Sequence, residues 1–242
     1  MRWFVVSLAV MLQDKPKPKE LPVVKYAMPL AVASGSKTKV TLRGTRLDGV
    51  KGVSTIEAGV VVKLVGEGKK AGVPNNYPAE KLGDTEAVVE VDLPKNYKGS
   101  SLPIVVKDAY GESVAYSLLV AEAIVNEVEP NDEYEKAQKL KWPVTVDGVL
   151  QKERDIDLFQ LEGKKDQELS VAILAARLGS PADVMLTLYD SKKQILKIVD
   201  DTDKSSDPSF KIKLPSDGVY FLAVMEANDM GGMQFGYRLT VK

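Results

Sequence analysis

The sequence contains no cysteine and no histidine among its 242 residues. Without cysteine there is no disulfide framework, no thiol nucleophile and no thiolate metal site. Without histidine there is no Ser-His-Asp triad, no histidine-ligated zinc or iron, and no imidazole base at neutral pH. Metal sites made of carboxylate and carbonyl oxygens, which suit hard cations, stay open.

The sequence also lacks an excess of charge of either sign. Its 33 Lys and Arg residues against 34 Asp and Glu give a formal net charge of −1, so no overall field favours nucleic acid or an anionic membrane. The two halves differ, since residues 1–123 hold 17 basic and 13 acidic residues and residues 124–242 hold 16 basic and 21 acidic. This asymmetry predicts two separate units, of which the second is more acidic.

Long apolar runs are absent as well, and the main apolar stretch lies at the N-terminus. Trp3 to Leu12 follows the positive Arg2, has the length of a signal-peptide apolar region, and is too short to span a bilayer as an ordinary helix. With the proline-rich segment after it, this stretch predicts an export signal and tether over residues 1–20. The expected location is then extracellular, periplasmic or at the cell surface, with no membrane span after signal removal. An apolar strand or helix of the folded protein is the alternative.

Helical periodicity is scarce beyond residue 20, where short alternating or β-branched runs are separated by turn residues. Within residues 21–123 these runs cover 38–47, 58–66, 86–93, 101–108 and 113–121. Within residues 124–242 they cover 142–150, 155–163, 167–176, 183–190, 194–200, 209–214, 218–226 and 235–242. Many short strands without intervening helices predict an all-β fold of two tandem antiparallel β-sandwiches.

Two stretches resemble known families. Residues 29–50, PLAVASGSKTKVTLRGTRLDGV, resemble the opening strands of IPT/TIG immunoglobulin-like domains, which implies an Ig-like sandwich over residues 21–123. Residues 127–242 carry in order Glu127-x-Glu129-Pro130-Asn131-Asp132, Val146-x-Gly148, Asp155-x-Asp157-x-Phe159, Leu186-x-Leu188-Tyr189-Asp190, Asp200-Asp201, Gly218-x-Tyr220 and Gly236-Tyr237-x-Leu239. This series is similar to the bacterial pre-peptidase C-terminal domain family, which is related to the collagen-binding modules of clostridial collagenases. The resemblance implies a jelly-roll-like sandwich over residues 124–242.

The acidic run EVEPNDEYE, residues 127–135, stands where the chain passes between the two predicted units. In an extended segment Glu127 and Glu129 point to the same side, and the turn expected at Pro130 brings further oxygens back. Oxygen donors at this density suit Ca²⁺, which takes six to eight oxygens at flexible angles. The resemblance implies a calcium site whose ligands are Glu127, Glu129, Asn131, Asp132, Asp155 and Asp157, with Glu153 as a substitute.

A second interpretation of the run needs no metal. The segment NDEYEKAQKL, residues 131–140, is the one helical candidate, and Asn131 or Asp132 would cap such a short helix while its acids face solvent. A further acidic stretch, residues 199–209, lacks the glycine and glutamate of an EF-hand loop. Its Ser, Asp and Pro content indicates a polar turn between strands.

No catalytic signature stands out in the sequence, so a non-enzyme is expected. The resemblance implies an exported binding, adhesion or accessory module, calcium-stabilised, whose partner is an extracellular protein or polysaccharide rather than nucleic acid. A structural spacer of the cell envelope without a ligand is one alternative. A glycoside hydrolase built on a carboxylate pair is another, because such enzymes need no strict local motif.

Overall fold

The strands of four β-sheets make up about half of the described part of the chain. The computed structural model describes residues 20–75, 77–202 and 205–242. Residues 1–19 of the expected export signal lie outside these ranges, so the signal stays a prediction. Two sheets take their strands from residues 23–121 and two from residues 125–241. None of the helices in the described ranges is long and apolar enough to cross a membrane.

The first two sheets have four strands each and pack as a sandwich. The strands are β1 (Val23–Met28), β2 (Ala31–Ala33), β3 (Lys37–Thr45), β4 (Gly52–Ser54), β5 (Val61–Lys70), β6 (Thr85–Asp92), β7 (Ser101–Lys107) and β8 (Tyr116–Ala121). One sheet has the order β1-β3-β6-β5 and the other β2-β8-β7-β4. Side chains alternate along β6, so Ala87, Val89 and Val91 enter the core, where Leu42 and Ile104 lie as well.

Helices are short in the described residues. A four-residue α-helix, α1, covers Ala79–Leu82, and 3₁₀ turns cover Leu47–Gly49 and Ala176–Leu178. Of these, α1 contributes Leu82 to the contact between the two sandwiches.

The other two sheets have five strands each and form the second sandwich. The strands are β9 (Val125–Asn126), β10 (Gln138–Lys139), β11 (Val144–Val149), β12 (Ile156–Gly163), β13 (Glu168–Leu174), β14 (Val184–Tyr189), β15 (Ile195–Val199), β16 (Ser209–Lys213), β17 (Gly218–Glu226) and β18 (Gly236–Val241). The sheet orders are β10-β12-β17-β14-β15 and β16-β13-β18-β11-β9. All eight strands predicted here are present, so the prediction of an all-β fold is confirmed.

The core of the second sandwich is filled from both sheets. Phe159, Leu222 and Val224 come from one sheet and Val171 and Leu239 from the other, each no more than 1% exposed. Burying an apolar side chain of this size contributes about 1.5–3 kcal/mol relative to leaving it exposed. This core fixes β12, β17 and β18 rigidly beneath the acidic residues described below.

The acidic run crosses from one sheet of the second sandwich to the other. Before it, β9 pairs in parallel with β11, with Val125 opposite Val146. After it, β10 pairs in parallel with β12. The Gln138 side chain closes the crossing, because it accepts a hydrogen bond from Val128 N at 2.9 Å and donates one to Asn126 O at 3.1 Å.

The helix predicted over residues 131–140 is not formed, and that prediction is wrong. Turns and β10 occupy the segment instead. The ring of Tyr134 packs edge-on against Tyr189 and Phe221, at centroid distances of 5.8 and 5.0 Å, and Ala137 is buried beside them. Packing on the outer face of the sheet therefore overrides the local helix preference.

The two sandwiches contact each other through a small apolar cluster. Tyr26 and Leu30 are buried there with Leu82, and Leu178 of the second sandwich packs against them. Gly179 allows this approach, since a Cβ on it would overlap the backbone carbonyl of Lys25. The assignment of residues 21–123 and 124–242 as separate domains, and the IPT/TIG likeness of the first, stay predictions.

Candidate metal centre

Three of the predicted ligands meet at the crossing segment. Carboxylate oxygens of Glu127, Glu129 and Asp157 all lie within 4.8 Å of one another. Glu127 follows β9 and is held to β11, because its backbone N–H donates to Asp147 O at 2.9 Å. Asp157 is the second residue of β12 and is fully buried. The two sheets therefore each bring carboxylates to one point.

Tyr237 of β18 lies beneath these carboxylates and is fully buried. Its hydroxyl is 2.9 Å from Glu127 Oε2 and 2.6 Å from Asp157 Oδ2. A phenol has one hydrogen to donate, so it serves only one of the two carboxylates at a time. The hydroxyl oxygen and the second carboxylate oxygen then face each other with no hydrogen between them, unless a proton or a cation is added.

Asn131 is the fourth predicted ligand in the group, and it is fully buried. With its amide nitrogen turned inward, it donates to Asp157 Oδ1 at 3.2 Å and to Glu129 Oε2 at 3.1 Å. Turned the other way, its carbonyl oxygen faces the same two carboxylates, which is the orientation a cation ligand needs. We call Glu127, Glu129, Asn131 and Asp157, with Tyr237 below them, the carboxylate pocket.

The electrostatics of the carboxylate pocket favour adding positive charge. Burial, followed by the charge of Glu127, raises the pKa of Asp157 to about 10. Burial and the neighbouring carboxylates also raise the pKa of Glu129, and burial raises that of Tyr237 well above its usual value. In the described part of the chain, Glu127, Glu129 and Asp157 make no ion pair with Lys or Arg. A proton or a cation in the pocket would relieve this repulsion.

The remaining two predicted ligands lie beside this pocket but have a partner. Lys152 Nζ is 2.8 Å from Asp132 Oδ2 and 3.4 Å from Asp155 Oδ1. The hydrogen bond from Lys152 lowers the pKa of Asp132, whereas burial raises that of Asp155. We call Asp132, Asp155 and Lys152 the lysine-bridged pair. Glu153, the predicted substitute, is exposed and lies outside both groups.

Three functional residues were missed by sequence reasoning. Tyr237 and Gly148 stand in motifs of the family resemblance, but nothing local assigns them to the site. A Cβ on Gly148 would overlap the Tyr237 ring and Glu127 Oε2, so only glycine allows these two side chains to meet. Lys152 had a signal, since it stands three residues before Asp155.

The second sandwich also carries an open groove at the C-terminal end of β12, beside β10 and the start of β17. Its volume is about 820 Å³, and Trp142, Gln160, Glu162, Lys139 and Lys164 line it with seven other residues. The indole of Trp142 packs partly on the core and donates to Glu162 O at 2.9 Å. The interpretation of Trp142 as a core or edge residue fits this position, and the groove beside it has both apolar and polar lining.

Comparisons with known proteins agree with the fold of this region. The sequence model of the bacterial pre-peptidase C-terminal domain matches residues 155–225. A probable subtilase-type serine protease of Deinococcus radiodurans is 31% identical over 107 residues, which is 43% of this chain and 15% of that protein. The chain thus spans a small part of the length of this relative.

Among solved structures, the pre-peptidase C-terminal domain of a collagenase from Bacillus anthracis is 16% identical, with a TM-score of 0.36, over 48% of this chain and all of that one. The periplasmic lysozyme inhibitor PliG of Aeromonas hydrophila is 11% identical, with a TM-score of 0.33, over 50% of this chain and all of that one. The resemblance of the second half of the chain to the bacterial pre-peptidase C-terminal domain family is thereby confirmed by the match over residues 155–225.

Proposed function

We propose that this chain is an exported, non-catalytic binding module whose second sandwich is stabilised by a calcium ion in the carboxylate pocket. One observation carries the proposal: three carboxylates meet within 4.8 Å, and none of them is paired with Lys or Arg in the described residues. Domains of this family are non-catalytic accessory units, which agrees with the lack of a catalytic signature in the sequence.

The donors of the carboxylate pocket fit a hard cation. Carboxylates of Glu127, Glu129 and Asp157 and the carbonyl of Asn131 are the oxygen types that Ca²⁺ takes, at the variable angles that Mg²⁺ tolerates poorly. Asp132 and Asp155 are paired with Lys152 beside the pocket, so we assign the ion to Glu127, Glu129, Asn131 and Asp157 and keep the other two as ligands only if Lys152 moves aside. The ion would replace the proton that burial otherwise forces onto Asp157.

The binding surface we assign to this module is the groove beside Trp142. An indole combined with amide, carboxylate and ammonium side chains offers an apolar face and several hydrogen-bonding groups, which suits a polysaccharide or an extracellular protein segment. The family of the domain supports export, and the predicted signal over residues 1–20, followed by domains over 21–123 and 124–242, completes the arrangement that we propose.

A spacer without a ligand is the second candidate, and one observation favours it. Tyr26 is fully buried at the contact between the sandwiches, and Gly179 and Gly236 let the two units approach closely. Such a contact would hold the sandwiches in a fixed relation, as a rigid spacer requires.

Thermal unfolding of the full chain with EGTA, with millimolar CaCl₂ and with MgCl₂ tests the metal. Calcium at a hundred times its dissociation constant adds about 2.7 kcal/mol, which raises the midpoint by several degrees. The double variant Glu129→Gln, Asp157→Asn should lose most of this rise. Glu133→Gln should keep it, because Glu133 is an exposed residue of the same run that pairs with Lys136. An equal rise in the double variant would refute the metal assignment.

Retention on insoluble polysaccharides and on fibrous extracellular proteins tests the binding surface. Trp142→Ala should reduce retention, whereas Tyr110→Ala, which removes an exposed aromatic from the first sandwich, should not. If the wild-type chain is retained on none of these matrices, the spacer interpretation replaces the binding module, whatever the outcome of the calcium experiment.

A further inference from the structure

Three neighbouring strands of the second sandwich bring a different set of acids to one edge of their sheet. β17 ends at Glu226, which lies opposite Val184 at the start of β14. Asp183 immediately precedes Val184, and Asp200 and Asp201 follow the last residue of β15. Because the three strands are antiparallel neighbours, the end of β17, the start of β14 and the end of β15 meet at the same edge.

The carboxylates at this edge are close together. One oxygen from each of Asp183, Asp200 and Asp201 lies within 4.8 Å of the other two. Asp183 is partly buried and accepts a hydrogen bond from Asn228 Nδ2 at 3.3 Å, while Asp200 and Asp201 are exposed. None of the three forms an ion pair with Lys or Arg within the ranges that the structure describes.

Glu226 provides a second, independent observation at the same place. It is only 5% exposed, and its Oε2 accepts from the backbone N–H groups of Asn228 and Met230, both at 2.8 Å. Its other oxygen, Oε1, is buried without a hydrogen-bond partner, and a buried anionic oxygen left in this way is costly. Asn228 joins Glu226 to the aspartates, because its backbone N–H donates to Glu226 Oε2 and its Nδ2 donates to Asp183 Oδ2.

We propose that Asp183, Asp200, Asp201 and Glu226 form a second cation site, separate from the carboxylate pocket, that takes calcium. A polar turn, the interpretation favoured by the sequence alone, accounts for exposed aspartates but not for the unpartnered oxygen of Glu226. A hard divalent cation satisfies that oxygen and cancels the repulsion among the aspartates. Two exposed ligands leave coordination positions for water, so we expect a dissociation constant of about 10⁻⁴–10⁻³ M, the range of extracellular calcium modules.

The proposed ion would tie the ends of three strands to the loop after β17. Ala227 N already donates to Asp183 O at 2.8 Å, so β14 and this loop are joined at the backbone. Calcium would extend the connection to Asp200 and Asp201 at the edge strand β15. The site shares no residue with the carboxylate pocket, and each is tested without the other.

Backbone amide shifts of the full, ¹⁵N-labelled chain during titration with CaCl₂ test this proposal, because each site reports through its own residues. We expect saturable shifts at Asp200, Asp201, Ala227 and Asn228. The double variant Asp200→Asn, Asp201→Asn should raise the calcium dissociation constant, measured from the shifts of Ala227 and Asn228, by at least about tenfold. Glu129→Gln should leave these shifts unchanged.

Asp229→Asn is the matched control, since Asp229 is an exposed aspartate beside the same loop that pairs with Arg154 outside the group. It should bind calcium as the wild type does. Thermal unfolding in EGTA checks that the variants are folded, which is expected because Asp200 and Asp201 are exposed. Shifts that fail to saturate by about 10 mM calcium, or that persist in the double variant, would overturn the second site and leave the carboxylate pocket untouched.

Discussion

The carboxylate pocket and the lysine-bridged pair differ in one respect that decides their chemistry. Both are built from acids of the same run and of the start of β12, and their members lie side by side. In the lysine-bridged pair, Lys152 supplies a positive charge at 2.8 Å from Asp132. In the carboxylate pocket, the partner of Glu127 and Asp157 is the neutral hydroxyl of Tyr237. One group is an ion pair, and the other is the group in which we propose the cation.

The comparison teaches that acidic density alone does not make a group of carboxylates suitable for a cation. In the described ranges, the carboxylate pocket combines burial with the lack of a neighbouring ammonium, and this is why we propose the ion there. Asp157 and Asn131 are fully buried, so their charge and dipole are poorly screened. Three experiments sharpen or break this comparison.

The largest expected effect is a pH dependence confined to the carboxylate pocket. The pKa of Asp157 in the folded protein, about 10, lies above that of an unfolded chain, so protonated Asp157 stabilises the fold at low pH and this contribution is lost as pH rises. In EGTA, unfolding free energy should fall between pH 5 and 8 by at most about 1.4 kcal/mol per pH unit. Calcium, which binds the carboxylate form, should flatten this fall, because the folded protein then holds no proton at the site to lose.

Denaturant titrations at each pH measure this slope, and Asp157→Asn is the variant to compare. Asp147, whose pKa burial raises to about 6, contributes a slope of the same sign in both proteins. In Asp157→Asn, unfolding free energy should fall less steeply with pH, because the contribution of Asp157 has been removed. Equal slopes in the two proteins would show that the carboxylate pocket does not hold a proton at neutral pH.

A second prediction concerns the close packing beneath the carboxylate pocket. Gly148→Ala forces a methyl group against the Tyr237 ring and Glu127, so we expect a loss of about 1–3 kcal/mol in unfolding free energy and weaker calcium binding. Gly72→Ala is the control, because a Cβ there meets nothing within 4 Å. Denaturant unfolding checks both variants, and unchanged stability in Gly148→Ala would contradict the described contact.

The smallest effect should come from removing the lysine that distinguishes the two groups. Lys152→Met leaves Asp132 and Asp155 without their cation, so stability in EGTA should fall only slightly, because solvent screens an ion pair made by this exposed lysine. The dissociation constant for calcium should tighten by about threefold to tenfold, because a positive charge near the ion is gone. Isothermal titration with calcium measures this, with Lys63→Met, an exposed lysine of the first sandwich, as control. Weaker binding would mean that Lys152 supports the site.

Much of the second sandwich was predictable, because each strand shows alternation bounded by turn residues. The oxygen donors of the acidic run were equally visible, since they stand within a few positions of one another. Tyr237 was not, because it lies 110 residues from Glu127 and 80 from Asp157, and alternation says only that its ring enters the core. The position of the Tyr237 hydroxyl depends on the register of β18 against β11, in which Tyr237 pairs with Gly148.

The helix expected over residues 131–140 is absent for a related reason. NDEYEKAQKL contains good helix formers, so the segment alone prefers a helix, but contacts with the rest of the domain favour another conformation. Tyr134 and Ala137 find a hydrophobic surface on the outer face of the β12 sheet, and β10 pairs with β12. Neither surface exists in the local sequence, so the outcome depends on contacts far along the chain.

The parallel pairing of β9 with β11 has a mechanical consequence. The first sandwich is joined to the second through β9, so tension between the two passes along β9 and loads its backbone hydrogen bonds in shear. The crossing segment follows β9 in the chain and is attached to the other sheet through the pairing of β10 with β12. An ion bound there would add resistance to extension at the point where force enters the domain, and an exported chain would gain that strength only where calcium is present.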